Sequence, residues 1–424
     1  MMKKVILLAL AALLLVSLVG CSDTAKAVLS DHERVTTPEV AASDANNLVD
    51  GNTAFAFDLY RELSQQGDNL FFSPYSISLA LAMTYAGASG DTELEMANTL
   101  HFAMLQSLLH PAFNALDLEL AELGKEAKGK DGEELRLNIA NALWGQDGFE
   151  FLTEFLDTLA ENYGAGLRLV DFLNAREESR RTINDWVSEE TEGKIEDLIP
   201  EGVIDPDTRL VLTNAIYLNA AWLHAFCEDV TAHGTFHLLD GSQVTVPMMS
   251  QVESFGYTQG EGYQAVELPY DGGELSMVIL VPDSGHFANF EGSLDAAVVE
   301  DILKGLEETR LALSMPKFEF DSRFSLSQML PRMGMISAFD PRKADFSGMT
   351  GDRSLYIADV LHKAFVSVDE AGTEAAAATA VVMKLTAAPD QPTQLTIDRP
   401  FIFLIRDVGT GTVLFMGRVL NPGT

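Results

Sequence analysis

The hydrophobic positions predict helices in the first half of the chain and strands in the second. Residues 75–86 are apolar on almost every side, as in a buried helix, and Ser73 and Pro74 suit its N-cap and first position. Further helical spacing occurs at 151–163 and 176–190. Runs of β-prone residues follow at 210–218, 244–249, 264–268, 275–281, 311–320, 354–368, 401–406 and 413–419. Because no repeat or linker interrupts it, this pattern predicts one α+β domain at 46–424.

The N-terminus has the pattern of an export signal. A positively charged start precedes a nearly unbroken apolar run from Val5 to Val19, which is too short for a comfortable membrane span. The motif Leu18-Val19-Gly20-Cys21 resembles the lipobox of prokaryotic lipoproteins, in which the cysteine receives lipid after cleavage before it. The alternative is an ordinary secretory signal with a chance cysteine. We expect a signal peptide at 1–20 and a membrane-anchored lipoprotein at the cell surface or in the periplasm.

The residues after the signal are polar and have no apolar period. We therefore expect a lipidated, flexible tether at 21–45. Cys227 is the only other cysteine, so lipid on Cys21 would leave no possible disulfide. Cys227 is then most simply a small packed hydrophobe.

Charge and motifs exclude several classes of function. The chain has 63 acidic and 28 basic residues, a net charge of -35, which disfavours nucleic acid as a partner. We find no G-x-S-x-G, H-E-x-x-H or Walker motif, so we expect no enzyme activity, no cofactor and no metal site. His233 and His237 have helical ligand spacing, but their surroundings predict exposed histidines on a strand.

One segment near the C-terminus is unusual because it separates into two faces with a period of two. No Pro or Gly occurs from Thr373 to Lys384, so every backbone N–H there can join a β-ladder. One face consists of Thr373, Ala375, Ala377, Thr379, Val381 and Met383, and the other carries both charges, Glu374 and Lys384. The composition alone leaves two alternatives open: an alanine-rich helix or linker, or a strand that can enter a sheet.

The stretches 360–365 and 370–379 closely resemble the hinge region of the serpin family, and the likeness extends from about residue 46 to 422. Similar blocks are Asn69 to Ser78, 212–217, 247–249, 266–270, 316–318, 344–348 and 399–403. The resemblance implies about nine helices, three β-sheets and an exposed reactive-centre loop at about 370–394. It also implies an inhibitor of serine or cysteine endopeptidases, which is cleaved in its loop, holds the protease as an acyl-enzyme and inserts the loop as a new strand.

The resemblance assigns roles to residues that match family motifs. The hinge comprises Glu370, Gly372, Thr373, Glu374, Ala375, Ala376, Ala377, Ala378 and Thr379. A group that we call the shutter cluster, where strands part, comprises Ser73, Ser76, Asn214 and His362, with a hydrogen bond expected between the last two. Lys317 pairs with Glu370 at the base of the loop, and Trp222 lies at the breach, where the loop enters.

Counted from the hinge glycine Gly372 as in the family, the resemblance implies a scissile bond at Thr386–Ala387. A small β-branched residue before this bond suggests elastase-like or subtilisin-like target proteases. A shift in register would offer Leu385, which suits chymotrypsin-like proteases, or Lys384, which suits trypsin-like ones. We expect a monomer. The alternative function is a non-inhibitory serpin-fold module for binding or chaperoning at the cell surface.

Overall fold

The computed structural model describes residues 25–124, 135–373 and 391–423. The α-helices in these ranges are α1 (Ala42–Leu63), α2 (Pro74–Tyr85), α3 (Gly90–Thr99), α4 (Gln106–Leu120), α5 (Thr153–Tyr163), α6 (Arg176–Glu190), α7 (Phe287–Ser293), α8 (Ala296–Lys304), α9 (Met329–Met333) and α10 (Ser347–Thr350). None of these described helices combines the length and the apolar character needed to cross a bilayer.

The strands follow mostly after the helices. They are β1 (Lys26–Val28), β2 (Leu70–Phe72), β3 (Arg136–Gln146), β4 (Leu167–Val170), β5 (Leu210–Ala221), β6 (Ala232–His237), β7 (Gln243–Gly260), β8 (Tyr263–Pro269), β9 (Leu275–Pro282), β10 (Glu307–Pro316), β11 (Phe318–Ser325), β12 (Ile357–Val368), β13 (Gly372–Thr373), β14 (Thr393–Thr396), β15 (Phe401–Asp407) and β16 (Val413–Val419). The prediction of an α+β fold is confirmed.

Hydrogen bonds join these strands into two large sheets. The seven-stranded sheet has the order β1-β4-β3-β5-β13-β12-β11, and the nine-stranded sheet has the order β14-β10-β7-β8-β9-β15-β16-β2, with β6 beside β7. Three sheets were expected. The difference arises because β7 is 18 residues long and pairs in turn with β6 over 243–248, with β10 over 248–257 and with β8 over 256–260, which joins all of these strands into one sheet.

Helix α2 occupies the centre of the molecule. All twelve of its residues are buried, and it packs against β3, β5 and β16. The side chain of Ser73 accepts a hydrogen bond from the backbone N–H of Ser76, and Pro74 takes the first helical position, where no N–H is needed. This buried helix places Ser73 and Ser76 beneath the middle of the seven-stranded sheet.

The segment predicted to be a flexible tether packs against the domain from Ala25 onward. Strand β1 pairs antiparallel with β4, at the edge of the seven-stranded sheet, and α1 already begins at Ala42. The predicted boundary at residue 46 therefore lies inside a helix. The tether prediction failed because a strand of three residues has no detectable period, and because the stabilising partners of this segment are far away in the sequence.

Candidate functional site

The seven-stranded sheet is closed at one end and parted at the other. Between Ile357 and Ala364, β12 pairs directly and in parallel with Leu210–Ile216 of β5. Beyond this ladder the two strands separate, and β13 lies between them, antiparallel to both. Thr373 is opposite Ala220 on one side and Val368 on the other. The start of the predicted loop thus already occupies a strand position.

Gly372 and Thr373 fit this position for different reasons. A Cβ on Gly372 would lie 2.7 Å from Cα of Ala221 and closer still to the carbonyl oxygen of Ala220, so only glycine allows this backbone approach. The hydroxyl of Thr373 is buried and lies 2.7 Å from that of Tyr270. Burial raises the pKa of Tyr270, so its hydroxyl keeps its proton for this hydrogen bond.

Trp222 holds the backbone that precedes β13. Its indole Nε1 donates to the carbonyl of Asp369 at 3.0 Å, and its backbone N–H donates to the carbonyl of Ala371 at 2.9 Å. Its ring stacks on Tyr270, with centroids 4.6 Å apart and planes 9° from parallel. The Trp222–Tyr270 pair therefore contacts the hinge on both its backbone and its Thr373 side chain.

The side chain of Glu370 is buried but paired. Lys317 Nζ donates to one carboxylate oxygen at 2.5 Å, and Thr231 Oγ1 donates to the other at 2.7 Å. Burial opposes ionisation of Glu370, yet these two hydrogen bonds outweigh it and lower its pKa. The expected Lys317–Glu370 pair is present, whereas Thr231 was missed because nothing in the sequence near it points to residue 370.

The shutter cluster lies where β5 and β12 are directly paired. Asn214 and His362 are register partners, and both are completely buried. His362 Nε2 lies 3.2 Å from the backbone N of Ser73, and its Nδ1 is hydrogen-bonded to Oδ1 of Asn214. The amide nitrogen of Asn214 donates to Ser76 Oγ at 2.6 Å. All four residues named from the resemblance are in one continuous network.

This arrangement requires a neutral His362. Because Nε2 accepts from the N–H of Ser73, the ring proton belongs on Nδ1, which donates to Asn214. A second proton on Nε2 would point at the N–H of Ser73. Burial lowers the pKa of His362 to about 3, which keeps the ring neutral over the ordinary pH range.

Asn141 is a member of this network that the sequence reasoning missed. It lies opposite Asn214 on β3, and its Oδ1 accepts from both Asn214 and Ser76. Its amide nitrogen donates to the carbonyl of Ser76 at 3.0 Å. The available signal was a polar Asn141 between Ala140 and Ala142, in the more buried half of the strand.

Several predicted site residues lie outside the described residues: Cys21, Glu374, Ala375, Ala376, Ala377, Ala378, Thr379, Lys384, Leu385, Thr386 and Ala387. The described part contains Glu370, Gly372 and Thr373 of the hinge. His233 and His237 are exposed on β6, and no group of three or more His, Cys, Asp or Glu residues in the described ranges could hold a metal ion. Cys227 is partly exposed rather than fully packed.

The register of β13 shows where a longer strand would go. Six residues beyond Thr373 is position 379, six residues before Ala220 is Asn214, and six residues before Val368 is His362. Asn214 and His362 are themselves register partners, so the two flanking strands are already aligned for one common insert. To extend β13, the chain would have to separate the Asn214–His362 pair. Neither flanking strand would have to shift its register.

Comparisons with known proteins identify the family to which this chain belongs. The sequence model of the serpin (serine protease inhibitor) family matches residues 50–422, which is most of the chain. The chain belongs to the serpin family.

Serpins from distant sources are similar to this chain. An uncharacterised serpin-like protein of Thermococcus kodakarensis is 42% identical over 88% of this chain and 86% of its own length. The human leukocyte elastase inhibitor is 38% identical over 88% of this chain and 99% of its own length. The solved native structure of the thermophilic serpin tengpin is 29% identical, has a TM-score of 0.81, and covers 93% of this chain and 97% of its own. The serpin fold is therefore shown.

Proposed function

We propose that this serpin inhibits serine endopeptidases, and by extension related cysteine endopeptidases, by loop cleavage, acyl-enzyme trapping and strand insertion. The observation that carries the proposal is β13. Its two residues already lie between β5 and β12, in the register that a complete inserted strand would need. It is not proposed as an enzyme, because its part in the reaction is that of a substrate consumed once.

Strand insertion can supply the necessary free energy. Extending β13 by about a dozen residues would add hydrogen bonds worth on the order of 1 kcal/mol net each and bury small or apolar side chains such as Val381 and Met383. The total is on the order of ten kcal/mol or more, comparable with the stability of a domain. The uninserted form is then kinetically trapped, and the ester-linked protease would be carried roughly 40 Å along the sheet.

Two observations support an elastase-like target. Thr386, the residue proposed to precede the scissile bond, is small and β-branched. Several relatives bear the name leukocyte elastase inhibitor. We therefore favour elastase-like or subtilisin-like proteases over those that would select Leu385 or Lys384.

The first prediction tests trapping directly. The intact protein is incubated with an elastase-like serine protease, and the products are examined by denaturing gel electrophoresis and mass spectrometry. We expect a covalent complex that survives detergent, cleavage after Thr386, and a rise in melting temperature of the loop-cleaved protein by tens of degrees. The control is Thr373→Arg, which would place a charged side chain where Thr373 now meets Tyr270.

Clean turnover of the loop by every protease tested, with no complex and no thermal gain, would contradict inhibition. That outcome would favour the alternative of a non-inhibitory binding or chaperone module. Unimpaired trapping by Thr373→Arg would contradict strand insertion even if the protein inhibited the protease.

We also propose export and lipid attachment at Cys21, on the strength of the lipobox-like motif. Because the chain packs against the domain from Ala25 onward, a lipidated Cys21 would be separated from the packed part by a spacer of three residues, 22–24. Its reach is on the order of 10 Å. A lipid-anchored form would consequently hold the β1–β4 edge of the domain close to the membrane rather than on a long tether.

A further inference from the structure

The register of the seven-stranded sheet places β1 and β13 at opposite ends of the strands. One row of register partners crosses the sheet where β1 lies, and it consists of Lys26, Leu169, Gly145, Leu210 and Ile357. We call this the anchor end. Thr373 lies in the row of Ala220, at the breach. Because Ala220 is ten residues after Leu210 on β5, the two rows are ~33 Å apart along the strands.

The proposed lipid site is confined to the anchor end. Cys21 is five residues before Lys26, so even a fully extended chain keeps their Cα atoms within ~18 Å of each other. The loop enters the sheet much farther away. Since β13 is four strand positions from β1, Lys26 and Thr373 are ~19 Å apart across the sheet and ~33 Å apart along it, or about 38 Å in all. An anchored molecule can therefore hold its loop well away from the bilayer.

Strand insertion would bring the protease to the anchor end. In the register of β13, position 383 falls in the row of Leu210, because it is ten residues after Thr373. Thr386, whose carbonyl would carry the protease, would lie ~10 Å past this row and ~19 Å to the side of Lys26, about 22 Å away in all. β1 runs from Lys26 towards the breach, so the chain also enters the sheet from this side of the row.

A trapped protease is too large to fit between the anchor end and the bilayer. A single-domain protease of about 240 residues has a diameter of roughly 45 Å, whereas the spacer before Ala25 reaches on the order of 10 Å. If the strands stood perpendicular to the membrane, the protease and the bilayer would occupy the same space. The edge of the sheet offers an alternative, because β1 is the outermost described strand on that side. With this edge towards the bilayer, inhibitor and protease lie side by side.

We propose that trapping delivers the protease to the membrane surface beside the lipid anchor and turns the domain onto its β1 edge. This inference rests on the proposed lipid attachment and strand insertion. The intact inhibitor presents its loop at the end farthest from the anchor, and the covalent complex has the inactivated protease against the bilayer. The lipid then determines where the protease finishes, as well as where the inhibitor is found.

The test couples the chain from Cys21 onward to phosphatidylcholine vesicles through a maleimide lipid, in a Cys227→Ser variant whose only thiol is Cys21. Neutral lipid avoids the repulsion between an anionic surface and a chain of net charge -35. An elastase-like protease carries a fluorescent donor, and the vesicle contains an acceptor lipid. We expect energy transfer from the trapped protease to be at least twice that from a protease whose active-site serine is replaced by alanine, which binds the loop but cannot be trapped.

The matched control moves the anchor to the breach. Asp229 is exposed in the turn before β6, two residues from Thr231, whose hydroxyl binds Glu370. In the triple variant Cys21→Ser, Cys227→Ser, Asp229→Cys, the only thiol is at this end. Trapping should now lower the energy transfer at least twofold, because the protease moves away from the vesicle.

A covalent complex anchored through Cys21 with unchanged or lower energy transfer would overturn this inference and leave the inhibitory function intact. An increase for both anchor positions would also overturn it, since the protease would then not move from one end of the sheet to the other. Absence of the complex on a denaturing gel would overturn the inhibitory function and this inference with it. Lipid attachment is tested separately by mass spectrometry of the exported protein, where an unmodified Cys21 would overturn the anchored state.

Discussion

The two ends of the β5–β12 interface are held in opposite ways. At the shutter cluster the strands pair directly, and side chains from β3, β5, β12 and α2 form a buried network centred on Asn214 and His362. At the breach the strands are separated by the backbone of Gly372 and Thr373. The first end is closed by side-chain hydrogen bonds, and the second is kept open by a strand that has begun to enter.

The comparison shows where insertion would start and what would oppose it. At the breach, the first two residues of the insert have already paid the entropic cost of entering the sheet. At the shutter cluster, each further step must separate direct ladder bonds and then the Asn214–His362 pair. The shutter cluster therefore provides the main barrier to strand insertion, and the breach provides the point at which insertion starts.

The largest expected effect comes from displacing β13, the point at which insertion starts. Gly372→Ala would place a methyl group against the backbone of Ala220 and Ala221, which no side-chain movement can relieve. We expect β13 to leave the sheet. Strand insertion would then be slower than hydrolysis of the acyl-enzyme. As a result, at least tenfold more inhibitor would be cleaved per covalent complex formed. The ratio of cleaved to complexed protein on a denaturing gel measures this.

Gly292→Ala in α7 serves as the control, because a Cβ on Gly292 meets no atom within 4 Å, and it should trap protease as the parent protein does. If Gly372→Ala trapped protease equally well, then β13 would be incidental to insertion. In that case the separation of β5 and β12 at the breach would not by itself promote strand insertion.

A smaller effect is expected at the other end, where register places position 379 between Asn214 and His362. After insertion, the hydroxyl of Thr379 would accept the hydrogen bond that Asn214 now accepts from Nδ1 of His362. Thr379→Val keeps the shape and removes the acceptor. We expect the loop-cleaved form to lose about 1–3 kcal/mol of unfolding free energy, measured by denaturant titration, with the intact form unchanged.

The neighbouring substitution Ala378→Val is the matched control, because position 378 belongs to the opposite face of the same strand. Equal losses for the two variants, or a loss in the intact protein alone, would show that the inserted strand does not use the register set by β13.

Lys317, Trp222 and the shutter residues lie where the family resemblance led us to expect them, whereas the N-terminal segment does not. Helix α2, its cap at Ser73 and the buried strand β5 follow from local patterns, since an apolar helix and a continuous β-prone run are unambiguous. The Asn214–His362 hydrogen bond was expected only through the family resemblance, because the two residues are 148 positions apart.

The parts that were missed depend on contacts between distant residues. Asn141 and Thr231 are ordinary polar residues until β3 meets β5 and the segment after Phe226 meets Glu370. The segment 26–35 has no periodicity, and it is held in place where Arg34 donates to Asn114 and Asp117 on α4. Tertiary partners of this kind cannot be deduced from local propensity.

The third effect, similar in size to the second, is a pH dependence that separates the two ends further. His362 has an unfolded pKa of about 6.5 and a folded pKa of about 3. Between these values the unfolded chain binds the proton and the folded protein does not, so acid favours unfolding. The contribution of His362 to stability is complete above pH 6.5 and falls by about 1.4 kcal/mol per pH unit below it, or roughly 2 kcal/mol by pH 5.

Denaturant titrations between pH 8 and pH 5 measure this slope, and His362→Gln should make it shallower because it removes the titrating group. Part of the slope should persist, since burial also lowers the pKa of His110 to about 4, and His110 lies away from the sheet, bonded to Tyr163. His110→Gln should therefore make the remaining slope shallower again. Retention of the full slope in His362→Gln would mean that the shutter is not the acid-sensitive end of the interface. The breach is expected to add little slope in this range, because the pKa of Glu370 is lowered and its carboxylate keeps its charge between pH 8 and pH 5.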